Sequence, residues 1–410
     1  MIRLGIVIIA LLATPRVLAA TLPVCAACPV QTISKAIKLA LPGDTVLVSH
    51  GFYAEGQLII DKPLAIIGEG FPVIDGKLSE EAITIESDHV TVAGLKIQNS
   101  GHNQLKDLAA IRVKRKKGYL IQNNIILNSF FGIYLEYAGN GTIQGNTIIG
   151  KATSEMNAGN AIHAWYVHDL SVNHNIVSGH RDGIYFEFVR NSRIYDNKST
   201  GNIRYGLHFM FSNDDAYYCN TFDRNGAGVA VMFSKRISMT DNIFEHNWGR
   251  TSYGLLLKEI YDAEIQHNQF LHNTLGIMLE GASRIEYKNN LFKANGWAVQ
   301  ITGGCEDNHF TANNFLHNAL DLVLHGRVNH NTFDGNYWSE YAGYDLNYDG
   351  SGDIPHRPVK LFSFILSQAP ESIVLLRSFF IDLLNFSEKI LPTLTPDNVM
   401  DNQPLMQPIP

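Results

Sequence analysis

The chain has 410 residues, 32 of them basic and 39 acidic, for a formal charge of -7; 45% are hydrophobic and 17% charged. That apolar content excludes a disordered chain, and the lack of basic excess excludes a general nucleic-acid binder. The run Leu4 to Ala13 is about half of the roughly 20 apolar residues that cross a bilayer, which excludes an integral membrane protein.

Met1-Ile2-Arg3, the apolar run and the small residues Val17 to Ala20 read as a cleaved secretory signal over residues 1–20, so the mature chain is expected outside the cytoplasm. Cys25 and Cys28 form a C-x-x-C pair suited to a disulfide, a soft metal ion or thiol exchange. Thr32 to Leu41 places Ile33, Ala36, Ile37 and Ala40 on one helical face, as a cap over the open end of a solenoid would require.

Length alone suggests two or three domains. The asparagines argue for one repetitive structure, since 29 of 35 lie between Asn123 and Asn336. An Asn-x-apolar pattern begins at Asn124, Asn146, Asn175, Asn197, Asn220, Asn242, Asn268, Asn290, Asn313 and Asn331, mostly 22 or 23 residues apart. Ser199 breaks the apolar third position. Between these asparagines lie alternating segments such as Gly132 to Glu136, Gly183 to Glu187, Gly206 to Met210 and Gly228 to Met232, each a strand with one buried face. Units this short must stack on one another, which predicts an all-β parallel β-helix solenoid over residues 21–335. Ile133, Ile162, Ile184, Leu207, Val229, Leu255, Ile277 and Val299 form its predicted internal stack. The asparagines are expected to take left-handed backbone at the bends and to bond in a ladder. Cys219 and Cys305 fall four coils apart, about 19 Å, beyond disulfide reach.

Two columns are expected to point outward. The first runs Tyr134, His163, Tyr185, His208, Ala230, Leu256, Met278, Gln300; the second runs Glu136, Trp165, Glu187, Met210, Met232, Lys258, Glu280, Thr302. Aromatics beside Glu136 and Glu187 resemble a sugar groove, with carboxylates two coils, about 9.6 Å, apart. His208, Met210 and Met232 combine imidazole with thioether, a set suited to transient binding of monovalent copper; flexible methionines also suit an apolar protein contact.

Residues 336–360 are rich in Asp and Gly, and Asp345, Asn347 and Asp349 resemble a calcium loop, although His356 stands where a bidentate Glu would complete it. The same residues also suit a tight Asx-turn. Within residues 361–410, Glu371 to Leu391 reads as one apolar helix, interrupted by too many charges to span a bilayer, followed by an extended Pro-rich tail. Such a helix packs back on the solenoid or lies against a membrane or membrane protein.

Ile33 to Ile37, Pro42 to Thr45, Ile67 to Gly70 and Val73 to Gly76 resemble the pectin-lyase-like superfamily, which implies a right-handed β-helix. Arg204 to Asn213, Gly335 to Ser339 with the Asp345 loop, and Leu391 to Pro396 with Pro404 to Met406 resemble the NosD family over essentially the whole mature chain. Gln407 departs from the Arg expected there. The resemblance implies a periplasmic, non-enzymatic accessory in copper-centre maturation of nitrous oxide reductase. Its implied partners are an ABC transporter permease and ATPase, a copper chaperone and the reductase, with membrane association through the permease. The competing class is a β-helix polysaccharide lyase, hydrolase or epimerase. Asn213-Asp214-Asp215 imitates part of a polygalacturonase pattern, but of its Gly-His-Gly element only Gly179-His180-Arg181-Asp182 comes near.

Overall fold

A computed structural model describes residues 19–101, 106–325, 330–376, 378–390 and 399–410. The leader assigned to residues 1–20 falls almost wholly outside these, as does the Leu391 to Pro396 motif. The described chain winds into a right-handed parallel β-solenoid whose walls are sheets of 14, 12 and 13 strands, each coil adding a strand to each wall. The expected internal stack forms in register: Ile133 pairs with Ile162, Ile162 with Ile184, Ile184 with Leu207, Leu207 with Val229 and Val229 with Leu255.

The asparagine ladder is present, but its backbone differs from expectation. The left-handed residue is the one before the ladder position, as at Asn123, His174, Asp196, Cys219 and Asp241, with φ between 52° and 57°. That residue turns the corner, and the next presents its amide inward. Asn220 is typical: its Nδ2 donates to Asn242 Oδ1 at 3.0 Å, to Ile194 O at 2.9 Å and to Tyr218 O at 3.0 Å, while its backbone N–H donates to the same Asn242 Oδ1. A buried amide is thereby satisfied on each coil from Asn124 to Asn336.

The last rung also needs correcting. Asn313 bonds to Asn336, not to Asn331, so the apparent interval of 18 was a register error. Asn336 carries Trp338 in the apolar position, stacked on Phe315. Asn331 instead joins a separate ladder by accepting from Asn308. A third ladder, Asn202–Asn225–Asn247–Asn273–Asn295–Asn318, lines another corner. The exceptional Ser199 is buried, and its hydroxyl donates to Gly206 O and accepts from Asn202 Nδ2.

Both ends are closed. At the first, a helix spans Ile33–Leu39, N-capped by Thr32, with Ile33, Ala36, Ile37 and neighbouring Ala40 buried. Cys25 and Cys28 form a disulfide, while Cys219 and Cys305 are free. At the other end the extended tail returns to the last coil, where Asp401 takes the next ladder position. Its carboxylate accepts from the N–H groups of Gly335 and Asn336, from Asn336 Nδ2 and from Trp338 Nε1.

The single helix expected over Glu371 to Leu391 is instead a 3-10 turn Pro370–Leu375 and an α-helix Phe379–Ile390, preceded by an α-helix Leu361–Gln368. Pro370 disfavours helical backbone at Ala369 and lacks the N–H that a continuous helix requires, so it separates the helix Leu361–Gln368 from the turn that follows. Phe362, Leu366 and Ile381 are buried against Leu320 and Val323 on the outer face of the 12-stranded sheet.

Phe244, Phe270 and Phe292 stack with centroids 4.7 and 4.9 Å apart inside the solenoid. Phe270→Ala should lower the free energy of unfolding by about 3–5 kcal/mol in urea titrations followed by circular dichroism. Asp401→Ala strips partners from buried donors and should cost about 1–3 kcal/mol.

Candidate functional site

The outer face of the 12-stranded sheet carries both predicted columns in register, because β pairing fixes every side chain's neighbour one coil away. Tyr185 pairs with His208 and Glu187 with Met210; one coil on, His208 pairs with Ala230 and Met210 with Met232. The second column is half-buried throughout. The first is not the solvated column expected: Tyr134, His208, Ala230 and Leu256 are buried, and only 3% of His208 is exposed.

The insertions that lengthen two coils account for this covering. Asn160, from one insertion, bonds His163 Nδ1 at 2.9 Å. Tyr253, from the other, shares an O–H···O contact of 3.3 Å with Tyr205, and it packs with Tyr205, Ala230, Leu256, Met232 and Met278. His163, Tyr185, His208 and Tyr205 make successive ring contacts with centroids 4.8–4.9 Å apart.

Burial, reinforced by the cations Arg204 and Arg181, holds His208 down to about 3; burial with Arg181 and Arg112 does the same for His163. Both rings are therefore neutral. Neither ring nitrogen of His208 has a hydrogen-bond partner, so the imidazole has an unshared pair and no internal use for it. The Tyr185 hydroxyl stands 3.7 Å from Met210 Sδ and 3.4 Å from Glu187.

Of the two carboxylates of the sugar-groove reading, Glu136 is held in an ion pair and Glu187 accepts from the Tyr185 hydroxyl at 3.4 Å. Arg112 bridges Glu136 at 3.0 Å and Glu81 at 2.8 Å, and Trp165 stands in register between Glu136 and Glu187. Asp214 is exposed and paired with Arg236, whereas Asp215 is buried, accepts from the Ser192 N–H and is pushed up to about 8 by burial. Those two carboxyls therefore do not share one surface. His180 and Asp182 are also buried; burial drives the His180 imidazole down to about 4 and the Asp182 carboxyl up.

Asp345 accepts from the N–H groups of Asp349 and Gly350, Asn347 from Asp349, and Asp349 from Ser351. These oxygens cap the loop's own amides, the Asx-turn alternative.

Sequence reasoning missed an aromatic strip beside the methionines. Tyr137, Tyr166, Phe188, Phe211 and Phe233 stack with centroids 4.5–5.2 Å apart and planes within 16° of parallel. Each immediately follows a residue of the second column, so an aromatic on five successive coils was the available signal. Tyr137, Tyr166, Phe211 and Phe233 are each about 40% exposed.

Residues 150–343 match the family described as periplasmic copper-binding protein (NosD), and residues 81–218 match the right handed beta helix region. A probable ABC transporter binding protein NosD from Pseudomonas aeruginosa is 30% identical over 381 residues, covering 88% of this chain and 87% of that one. A protein of the same description from Stutzerimonas stutzeri is 28% identical over 373 residues, covering 86% and 85%. A family 28 exopolygalacturonase from Yersinia enterocolitica superposes with a TM-score of 0.51 at 11% identity, covering 77% of this chain and 75% of the enzyme; this likeness is one of fold.

Neutral buried histidines make acid costly. An unfolded His protonates below about pH 6.5, whereas folded His163 and His208 do so only near about 3. Between those limits the unfolded chain binds more protons, so stability is complete above pH 6.5 and is lost as the pH falls towards 3. Each histidine should contribute roughly 2 kcal/mol to the loss by pH 5. His208→Gln should flatten the fall of the thermal midpoint between pH 7 and 5; an unchanged slope contradicts the burial argument.

Proposed function

The chain belongs to the NosD family, and from that premise we propose that it is a periplasmic, non-enzymatic accessory in copper delivery to nitrous oxide reductase, working with an ABC transporter. Monovalent copper is its cargo. The observation carrying this reading is the neutral, unpartnered His208 imidazole beside the in-register thioethers of Met210 and Met232. Soft sulfur with neutral nitrogen suits a soft monovalent ion, and ligands that carry no charge let the ion leave again. His208 is buried against Tyr185 and Tyr205, so a donor presents the ion to the half-buried methionines first and the imidazole joins as those rings give way.

Delivery also needs contact surfaces. The exposed aromatic strip lies beside Met210 and Met232 and suits the face of a copper chaperone or of the reductase, since rigid rings supply contact area at low entropic cost. The C-terminal helices suit the permease: Val374 is 86% exposed, Phe379 81% and Phe386 59%, more apolar surface than a solvated helix ordinarily shows. Among the described residues no helix is long and apolar enough to cross a membrane, so this contact is made from outside the bilayer.

In cells carrying Met210→Leu with Met232→Leu, which preserves apolar contact while removing sulfur, the chain should fold and the reductase should lack copper. A fully metallated reductase sinks the ligand assignment. Docking is tested separately by Phe379→Ser with Phe386→Ser, since truncation after Pro370 would also remove the Asp401 cap. The double Ser chain should remain folded and no longer copurify with the permease.

A further inference from the structure

At the opposite end of the Ala227–Met232 strand from Met232, the turn leaving the 13-stranded sheet gathers Asp223, Glu245 and His246. One ligand atom from each lies within 4.8 Å of the others. Asp223 and Glu245 are register partners one coil apart, and His246 follows Glu245 at the corner with φ 52°. The His246 ring stacks on His272 of the next coil, with centroids 5.4 Å apart and planes within 3°, which fixes the plane in which its nitrogens point.

We infer that Asp223, Glu245 and His246 form a separate site for a borderline divalent cation of the zinc class. The first reason is the asymmetry of Asp223, whose side chain is only 6% exposed. Both its neighbouring donors go to one oxygen: Arg224 Nη2 stands 2.7 Å and Thr200 Oγ1 3.4 Å from Oδ2. Oδ1 is buried and accepts no hydrogen bond, although His246 Nδ1 stands 3.4 Å from it. A buried carboxylate oxygen left without a donor is costly. The neighbouring imidazole does not relieve it, because the same Nδ1 also faces Glu245 Oε2 at 3.7 Å and one N–H serves one acceptor well.

The second reason is spacing. Ligands about 2.0–2.1 Å from a tetrahedral zinc ion stand about 3.3–3.4 Å from one another. The 3.4 Å from His246 Nδ1 to Asp223 Oδ1 is that of two ligands around an ion, and the 3.7 Å to Glu245 Oε2 needs a shift of a few tenths of an ångström to match it; both are longer than a good N–H···O bond. A neutral imidazole with two carboxylates suits zinc or cobalt(II), and lacks the thioether that distinguishes the monovalent-copper set. Three protein ligands leave a fourth position for water. The ion would join the coil of Asp223 to that of Glu245 and His246, adding a cross-coil bond where the wall otherwise relies on hydrogen bonds. This inference does not rest on the copper reading.

The test uses the full mature chain freed of metal with a chelator. Zn2+ alone is titrated calorimetrically into the parent chain, Asp223→Asn and His246→Gln, with Co2+ as a spectroscopic probe. The parent should bind one more Zn2+ than either variant and show the strong visible absorption of four-coordinate Co2+. Its thermal midpoint should rise with Zn2+ where the variants' midpoints do not. Loss of a direct ligand should weaken uptake by at least the ~10- to 100-fold that loss of an outer supporting group costs. His246 is 48% exposed on its side chain, so His246→Gln keeps the test valid if Asp223→Asn fails to fold. Equal Zn2+ uptake by parent and His246→Gln, or no uptake by the parent, overturns the proposal.

Discussion

Each coil from Asn124 to Asn336 buries an amide whose bonds run to the same amide one coil away and to backbone carbonyls beside it. The chain from Asn124 to Asn336 is an unbroken series of side chain to side chain and side chain to backbone bonds at close to 3.0 Å. Slipping one coil by one residue would put another side chain, such as Asp196 or Lys198, at a rung and leave several buried donors and acceptors unmatched at once. The ladder therefore fixes angular register, and with it the rows that stand outside. Met210 opposite Met232 and Asp223 opposite Glu245 are consequences of a constraint set elsewhere on the coil. Extra residues must emerge between ladders, which is where Asn160 and Tyr253 arise.

What the sequence shows clearly is what repeats. Alternation in the strands identified the inward stack residue by residue, because a strand's period of two permits only one buried set. Asn331 misled because it too begins an Asn-x-apolar triplet; only the spatial partner, Asn308, distinguishes its ladder from that of Asn313 and Asn336. The burial of His208 was illegible for a different reason. Outward orientation follows from local alternation, whereas exposure depends on rings such as Tyr185 of the preceding coil, and local patterning carries no such information. The break inside Glu371 to Leu391, between Leu375 and Phe379, carries neither proline nor glycine, so the apolar run read as one helix.

The covered face is a compromise between solubility and availability. Solvated along its whole length, the column of Tyr134, His163, Tyr185 and His208 would let the imidazoles exchange protons freely with water. With His208 buried against Tyr185 and Tyr205 and with Arg204 and Arg181 nearby, protonation is opposed both by desolvation and by like charge. The imidazole is thereby kept as an uncharged base. Ala230, the register partner of His208, is itself buried in the cluster of Tyr205, Tyr253 and Leu256 that continues the covered face beyond the imidazole.

The far end of the solenoid shows how one segment serves stability and contact together. An open ladder would leave Asn336 and the Trp338 indole with unmatched donors, so the series needs a terminator that only accepts. An ionised carboxylate has that property, and Asp401 supplies it from a tail that has passed through two apolar helices before returning. Because the tail must come back to the last coil, the helices are tethered at both ends, first by the chain leaving Trp338 and then by Asp401. Their buried residues, Phe362, Leu366 and Ile381, rest on the same sheet face that carries the methionines several coils away. A rigid solenoid thus holds its most exposed apolar helices at a set distance from His208 and Met210. Such an arrangement suits a protein that must hold one partner while presenting a side chain to another.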